Sequence, residues 1–169
     1  MKFQRSVALA AALAVTLGWS SATTFAATAT ASLSVTATVA NNCSISTTAL
    51  AFGSYDPVTT HASAPLDSTG TVVISCTKGA AATIGLNTGS NASGSTRRMA
   101  NGGVFLTYEM YKETAKTNIW GNAGVDLYDA GTAPSSAAQT FTVYGRVSAG
   151  QTGAVAGSYG DTVTATVNF

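Results

Sequence analysis

Residues 27–39 alternate without a break: Ala27, Ala29, Ala31, Leu33, Val35, Ala37 and Val39 are apolar, and every position between them is Ser or Thr. Successive side chains of a strand point to opposite faces, so a period of two specifies a strand with one apolar and one hydroxyl-bearing face. The run is thirteen residues long, against about 5–6 for an ordinary strand, and holds no Gly, Pro, Asn or Asp. Its apolar face is mostly alanine, which suits a narrow groove. A low-complexity leader without structure is the alternative. The unbroken period favours a strand that completes a sheet, in its own chain or in another.

The residues before it read as an export signal. Lys2 and Arg5 precede an apolar run over residues 7–17, broken only by Thr16, and Thr24-Phe25-Ala26 sets small side chains around a signal-peptidase site. Eleven residues are too few for a membrane anchor, which needs about 20. Residues 1–26 are therefore expected to be a signal peptide, residues 27–39 an extension, and residues 40–169 one domain.

Without Lys2 and Arg5 the chain carries six basic and seven acidic residues, a net charge of −1. No basic cluster exists beyond Arg97-Arg98, which argues against a nucleic-acid partner. Charged residues are 9% of the chain, where about 25% is usual, so few charges guard its strand edges against association. Cys43 and Cys76 are the two cysteines. In an exported chain a disulfide between them is the expected state, two free buried thiols the alternative. Closing a loop of about 33 residues stabilises by roughly 3.7 kcal/mol in the chain-entropy model.

After the extension, further strands are expected at residues 49–55, 71–76, 82–86, 104–111, 140–147 and 159–169, with a short one at 118–120. Asp56-Pro57, Lys78-Gly79 and Gly121-Asn122-Ala123-Gly124 are turn signals between them. Residues 58–68, 87–103 and 130–136 read as loops. No helical period persists after the leader. Seven or eight strands with frequent turns indicate an all-β sandwich. In the last strand Val163, Ala165, Val167 and Phe169 share one face, Thr162, Thr164, Thr166 and Asn168 the other, and no turn follows.

Catalytic or metal chemistry finds little support. His61 is the single histidine and is expected in an exposed loop, with no Gly-x-Ser-x-Gly elbow anywhere. The five Asp and two Glu lack the spacing of a calcium loop. Two cysteines and one histidine do not make a zinc site. Trp120, with Tyr108, Tyr111 and Tyr128, is expected in the core rather than on a sugar-binding platform.

Several motifs together carry a family resemblance. Cys43-Ser44-Ile45, Phe52-Gly53-Ser54-Tyr55-Asp56-Pro57 and Gly70-Thr71-Val72-Val73-Ile74-Ser75-Cys76 form its first half. Tyr108-Glu109-Met110-Tyr111 and Trp120-Gly121 continue it. Val143-Tyr144-Gly145-Arg146-Val147, Gly150-Gln151 and Gly157-Ser158-Tyr159-Gly160-Asp161-Thr162-Val163 complete it. In their order and spacing these resemble the spore coat protein U domain, a family similar to the subunits of archaic chaperone–usher pili.

The resemblance implies an immunoglobulin-like sandwich that lacks its last strand and is completed by donor-strand complementation. It implies that the family's cysteine pair falls on Cys43 and Cys76. By this reading Ala29, Ala31, Leu33, Val35 and Ala37 are the donor side chains, and Val163, Ala165, Val167 and Phe169 line the acceptor groove that a chaperone also binds. The implied partners are further copies of the chain or related pilus subunits, a periplasmic chaperone and an outer-membrane usher. The expected function is a structural, non-enzymatic shaft subunit, without cofactor, exported to a cell-surface pilus for adhesion and biofilm formation. A monomeric, self-complemented secreted coat or binding module is the alternative.

Overall fold

Val72, Ile74 and Cys76 are 1%, 1% and 2% exposed, whereas the residues between them are half-buried. That alternation on β2 (Leu66–Cys76) marks one wall of a sandwich core. The structure is a computed structural model that describes residues 25–169. The leader reading lies outside the described residues, apart from Phe25 and Ala26. Thr38–Phe169 forms one compact unit, to which residues 25–37 do not belong.

The remaining strands are β1 (Cys43–Thr48), β3 (Ala81–Leu86), β4 (Arg97–Asn101), β5 (Val104–Tyr111), β6 (Tyr128–Thr132), β7 (Gln139–Val147) and β8 (Ala165–Asn168). One sheet has the order β1-β2-β7-β5-β4 and the other β6-β3-β8, with every pairing antiparallel. The architecture is the expected all-β, immunoglobulin-like sandwich. Leu106, Tyr108 and Met110 of β5 and Val143 and Val147 of β7 face Ala82, Ile84 and Leu86 of β3 across the core.

Trp120 closes one end of that core and is fully buried. Its indole nitrogen donates to the Ile84 carbonyl at 2.9 Å, so the ring carries no unpaired polar atom inside. Tyr128 packs on it at 4.6 Å and on Phe141 at 5.1 Å between ring centroids. Arg97 is equally buried, at 2% exposure, and is clamped rather than free. Its guanidinium donates to the carbonyls of Leu86, Asn87 and Trp120 at 2.7–3.0 Å and pairs with Glu109.

Several strand expectations move. The first ladder strand is β1 rather than residues 49–55, which carry no strand. Gly53 there has φ +78°, outside the β region, and no neighbouring strand offers a ladder. β2 starts at Leu66, and residues 87–103 hold β4 as well as a loop. β6 overlaps the expected loop at 130–136. Residues 118–120 make only an isolated bridge, Tyr111 to Ile119. Of residues 159–169 only Ala165–Asn168 is strand. Before it, side chains interrupt the ladder: Thr164 N donates to Asn87 Oδ1 at 2.9 Å.

His61 is corrected too. It lies in a four-residue helix, Thr60–Ser63, and is 8% exposed. Its Nδ1 accepts from the Asp56 backbone N–H at 2.9 Å, and its ring stacks on Tyr55 at 5.0 Å. It folds the Asp56-Pro57 turn back on itself, a structural role.

A candidate strand-acceptor groove

β1 and β8 are edge strands of different sheets, and each has one unpaired side. Their Cα atoms come within 8 Å without forming a ladder. Laddered strands lie about 4.8 Å apart, and an intervening strand would need about 9.6 Å. Where they meet, the two edges are therefore too close to hold a strand between them, yet they form no ladder.

Cys43 is bonded to Cys76, S–S 2.03 Å, and the two face each other across the β1–β2 ladder. The bond holds β1, otherwise paired on one side only, to the centre of its sheet. Ahead of β1, Thr77 Oγ1 accepts from Asn42 N at 3.1 Å and donates to the Ala40 carbonyl at 3.2 Å, which fixes the direction from which the chain arrives.

Beyond β1 the edges diverge around two cavities. The first, about 360 Å³, lies between residues 47–52 and residues 159–165, over a floor that includes Met99, Tyr108 and Val143. The second, about 500 Å³, lies between residues 50–55 and residues 154–159. Leu50, Phe52, Met99 and Tyr159 line both, so the two are compartments of one groove. Leu50 and Phe52 reach in because Gly145 has no side chain: a Cβ there would stand 2.6 Å from Leu50 Cδ2 and 2.8 Å from Phe52 Cζ. The wall from residue 47 to 52 runs without a turn or bend and Gly53 then leaves the β region, whereas the facing wall from 165 back to 154 bends at residues 156 and 157.

The lining is almost uncharged. Asp161, in the first compartment, is the one charged residue in either lining among the described residues, and three donors hold it. Its carboxylate accepts from Tyr108 Oη at 2.7 Å and from Asn91 N and Nδ2 at 3.0 Å. Burial, and then the hydrogen bond to Asp161, push the Tyr108 hydroxyl well above the ordinary tyrosine range. At any physiological pH it donates to the carboxylate and presents no charge.

The residues expected to line an acceptor groove divide. Val163 and Ala165 face the first compartment, Val167 is half-buried opposite Ile84 in the β3–β8 ladder, and Phe169 is 53% exposed. Leu50, Phe52, Met99, Tyr108 and Tyr159 were not anticipated there. Their signal lay in the period-two spacing of Leu50, Phe52 and the later Gly145, which shows only once the two segments are seen to cross. The expected donor side chains Ala29, Ala31, Leu33, Val35 and Ala37 lie in residues 25–42, which carry no strand. Leu33 and Val35 are 88% and 85% exposed. Among the described residues no group of three or more His, Cys, Asp or Glu converges.

The model of the Spore Coat Protein U domain matches residues 29–166. The chain belongs to that family. Protein U of Myxococcus xanthus is 38% identical over 159 residues, covering 85% of this chain and 87% of that protein. Among solved structures, the domain superposes on a chain of the CsuC–CsuE chaperone–tip adhesion subunit pre-assembly complex, from the archaic chaperone–usher Csu pili of Acinetobacter baumannii. The TM-score is 0.57 and the identity 24%, over 78% of this chain and 41% of that one. At that identity the likeness shows a fold shared between this chain and the matched part of the Csu chain.

Proposed function

We propose that this chain is a structural subunit of an extracellular pilus assembled by the chaperone–usher pathway through donor-strand exchange, serving surface adhesion and biofilm formation. The observation that carries the reading is the unpaired β1 and β8 edges beside a groove whose one charged lining residue is Asp161, in a chain whose extension is itself an uncharged, alternating, exposed segment. Where the walls diverge beyond β1, insertion would add main-chain hydrogen bonds along them while alternate side chains enter the compartments; between β1 and β8 themselves it would require the edges to part. Leu33, Val35 and Val39, buried at about 1.5–3 kcal/mol each, together with ladder bonds near 1 kcal/mol each, put one joint on the order of 10 kcal/mol. The Csu complex, a chaperone with a tip adhesion subunit, supports a periplasmic chaperone as the groove's first occupant and an outer-membrane usher as the assembly platform. Residues 1–26 would direct export to the periplasm, and the role needs no catalysis.

The family name and the Myxococcus relative support a second reading, a secreted coat protein that fills its own groove. Gel electrophoresis without boiling separates the two. A pilus subunit gives an SDS-resistant ladder that collapses on heating, and electron microscopy shows thin filaments. A heat-independent single band from surface-extracted material would reject the pilus.

A further inference from the structure

The floor of the groove carries one side chain whose chemistry strand uptake does not use, the thioether of Met99. Of the three methionines, Met1 begins the leader, Met110 is 4% exposed and Met99 is half-buried on β4. Met99 faces Leu106 across the β4–β5 ladder and lines both compartments, whereas Met110 borders the first alone. Solvent standing in either compartment therefore meets Met99. The other readily oxidised side chains among the described residues are withheld. Cys43 and Cys76 are bonded to each other, and Trp120 is fully buried.

A thioether takes one oxygen from a peroxide. The sulfur lone pair attacks a peroxide oxygen, and an S–O bond forms as the O–O bond breaks. Sulfur is oxidised, the peroxide is reduced, and after proton transfer water leaves. A flexible apolar side chain has become a polar one. We propose that Met99 is an oxidation site of the unfilled groove, open to peroxides, and that its sulfoxide stops the groove from taking up a strand. The lining offers that oxygen little. Tyr108 Oη is committed to Asp161 at 2.7 Å and Tyr159 Oη to the Val155 carbonyl at 2.9 Å, while Leu50, Phe52 and Leu106 are apolar. Water hydrates the sulfoxide while the groove is empty. An entering strand strips that water away and leaves the oxygen unpaired. A filled groove covers the sulfur, so the site acts on subunits before assembly and not on finished filaments. The effect on strand uptake rests on the donor-strand reading above; the reactivity of Met99 does not.

The test treats the exported chain, kept dilute and unassembled, with hydrogen peroxide and maps the added oxygen by peptide mass spectrometry. Met99 is expected to gain one oxygen about tenfold faster than Met110, and to lose that advantage in assembled filaments given the same dose. The oxidised chain is expected to bind a synthetic peptide of the sequence of residues 27–39 about tenfold more weakly, the scale of one unpaired polar group, and a methionine sulfoxide reductase to restore the affinity. Met99→Leu nearly keeps the volume and is expected to bind the peptide equally before and after peroxide. Equal oxidation of Met99 and Met110 would overturn the site. Selective oxidation with unchanged peptide binding, or an equal loss in Met99→Leu, would overturn its effect on strand uptake. Failure of the untreated chain to bind the peptide would remove the donor-strand reading and that effect with it, while the peroxide map still decides the reactivity of Met99. Should Met99→Leu fail to fold, rescue by the reductase makes the same assignment.

Discussion

The Tyr108 hydroxyl donates a 2.7 Å hydrogen bond to Asp161 Oδ2, joining the middle of β5 to the segment that leads into β8. The contact spans the floor and one wall of the groove, so it reports on both. Because the folded Tyr108 holds its proton more tightly than an unfolded tyrosine, its contribution is complete below about pH 10. It is lost as pH rises above that value, where the unfolded chain ionises first. Denaturant melts should show stability falling from about pH 10 upward, and Tyr108→Phe should flatten that limb. At neutral pH the same change should cost about 1–3 kcal/mol, because Asp161 loses a donor in a half-buried site. An unaltered alkaline limb in the variant would assign the pH dependence elsewhere.

Acid should expose a different pair. Arg146 grips Asp67 with two hydrogen bonds, 2.7 and 2.8 Å, and Lys116 lies 3.1 Å away. The Arg146 hydrogen bond, with help from Lys116, holds the Asp67 carboxyl at about 2. Its contribution is therefore present above the unfolded value near 3.9 and lost as pH falls toward 2. Both side chains are more than a third exposed, at 36% and 41%, so screening keeps the pair below about 1 kcal/mol. Asp67→Asn should lower stability slightly at pH 7 and not at pH 2, measured by urea midpoints. A loss equal at both values would count against the pair.

Arg97 is a larger matter. Removing its guanidinium leaves three main-chain carbonyls without that donor at a buried junction between the two sheets, and Glu109 with the Met110 N–H but no cation. Arg97→Ala should destabilise by about 3–5 kcal/mol, and Arg97→Lys should recover little, since a point charge cannot reproduce the planar fork. Thermal unfolding of the two variants with the disulfide intact measures both effects.

The disulfide has a separate signature. Cys43→Ser should cost about 2–5 kcal/mol, and β1 should be the first element to fray, because β2 alone then holds it. Mass spectrometry of the unaltered chain should find it two hydrogens lighter than its reduced form. Rapid alkylation of both thiols without reductant would contradict the bond.

Legibility followed burial. β2, β5 and β7 alternate between core and surface along most of their length, so the short apolar run Val72-Val73-Ile74 and the period of two in Leu106-Thr107-Tyr108 were enough to place β2 and β5. β4 opens with Arg97-Arg98 and β6 contains Asp129 and Gly131, residues that read as loop. One is an edge strand whose charge is neutralised by a clamp assembled from other segments, and the other carries a bulge. Residues 49–55 show the opposite error. Their pattern is that of a strand, and the side chains at Leu50 and Phe52 obey it, but a ladder needs a neighbour that a sequence pattern cannot supply. Likewise His61 looked exposed among Thr, Ala and Ser, because the partners that bury it, Tyr55 and the Asp56 amide, act through a fold-back of the chain. The groove itself was half legible: Val163 and Ala165 were expected on one wall, while the floor of Met99 and Tyr108 depends on tertiary crossing.

The extension supplies the sharpest contrast. Leu33 and Val35 are almost fully exposed, so neither contributes to a core where it stands. If they enter a neighbour's groove, Leu33→Asp or Val35→Asp would bring a carboxylate into an apolar compartment whose one carboxylate is already satisfied, at a cost of several kcal/mol. These variants should still form the Cys43–Cys76 bond and give an unchanged unfolding midpoint as monomers. They should fail to form the SDS-resistant ladder and the filaments. Ser34→Thr, on the opposite face, should assemble normally, since a one-residue slip exchanges the two faces and the period of two is the property under test. Normal polymerisation of Leu33→Asp would remove this segment as the donor. Unfolding of the monomer by the same change would instead make residues 27–39 part of their own chain's sheet, and the self-complemented coat protein would become the better reading.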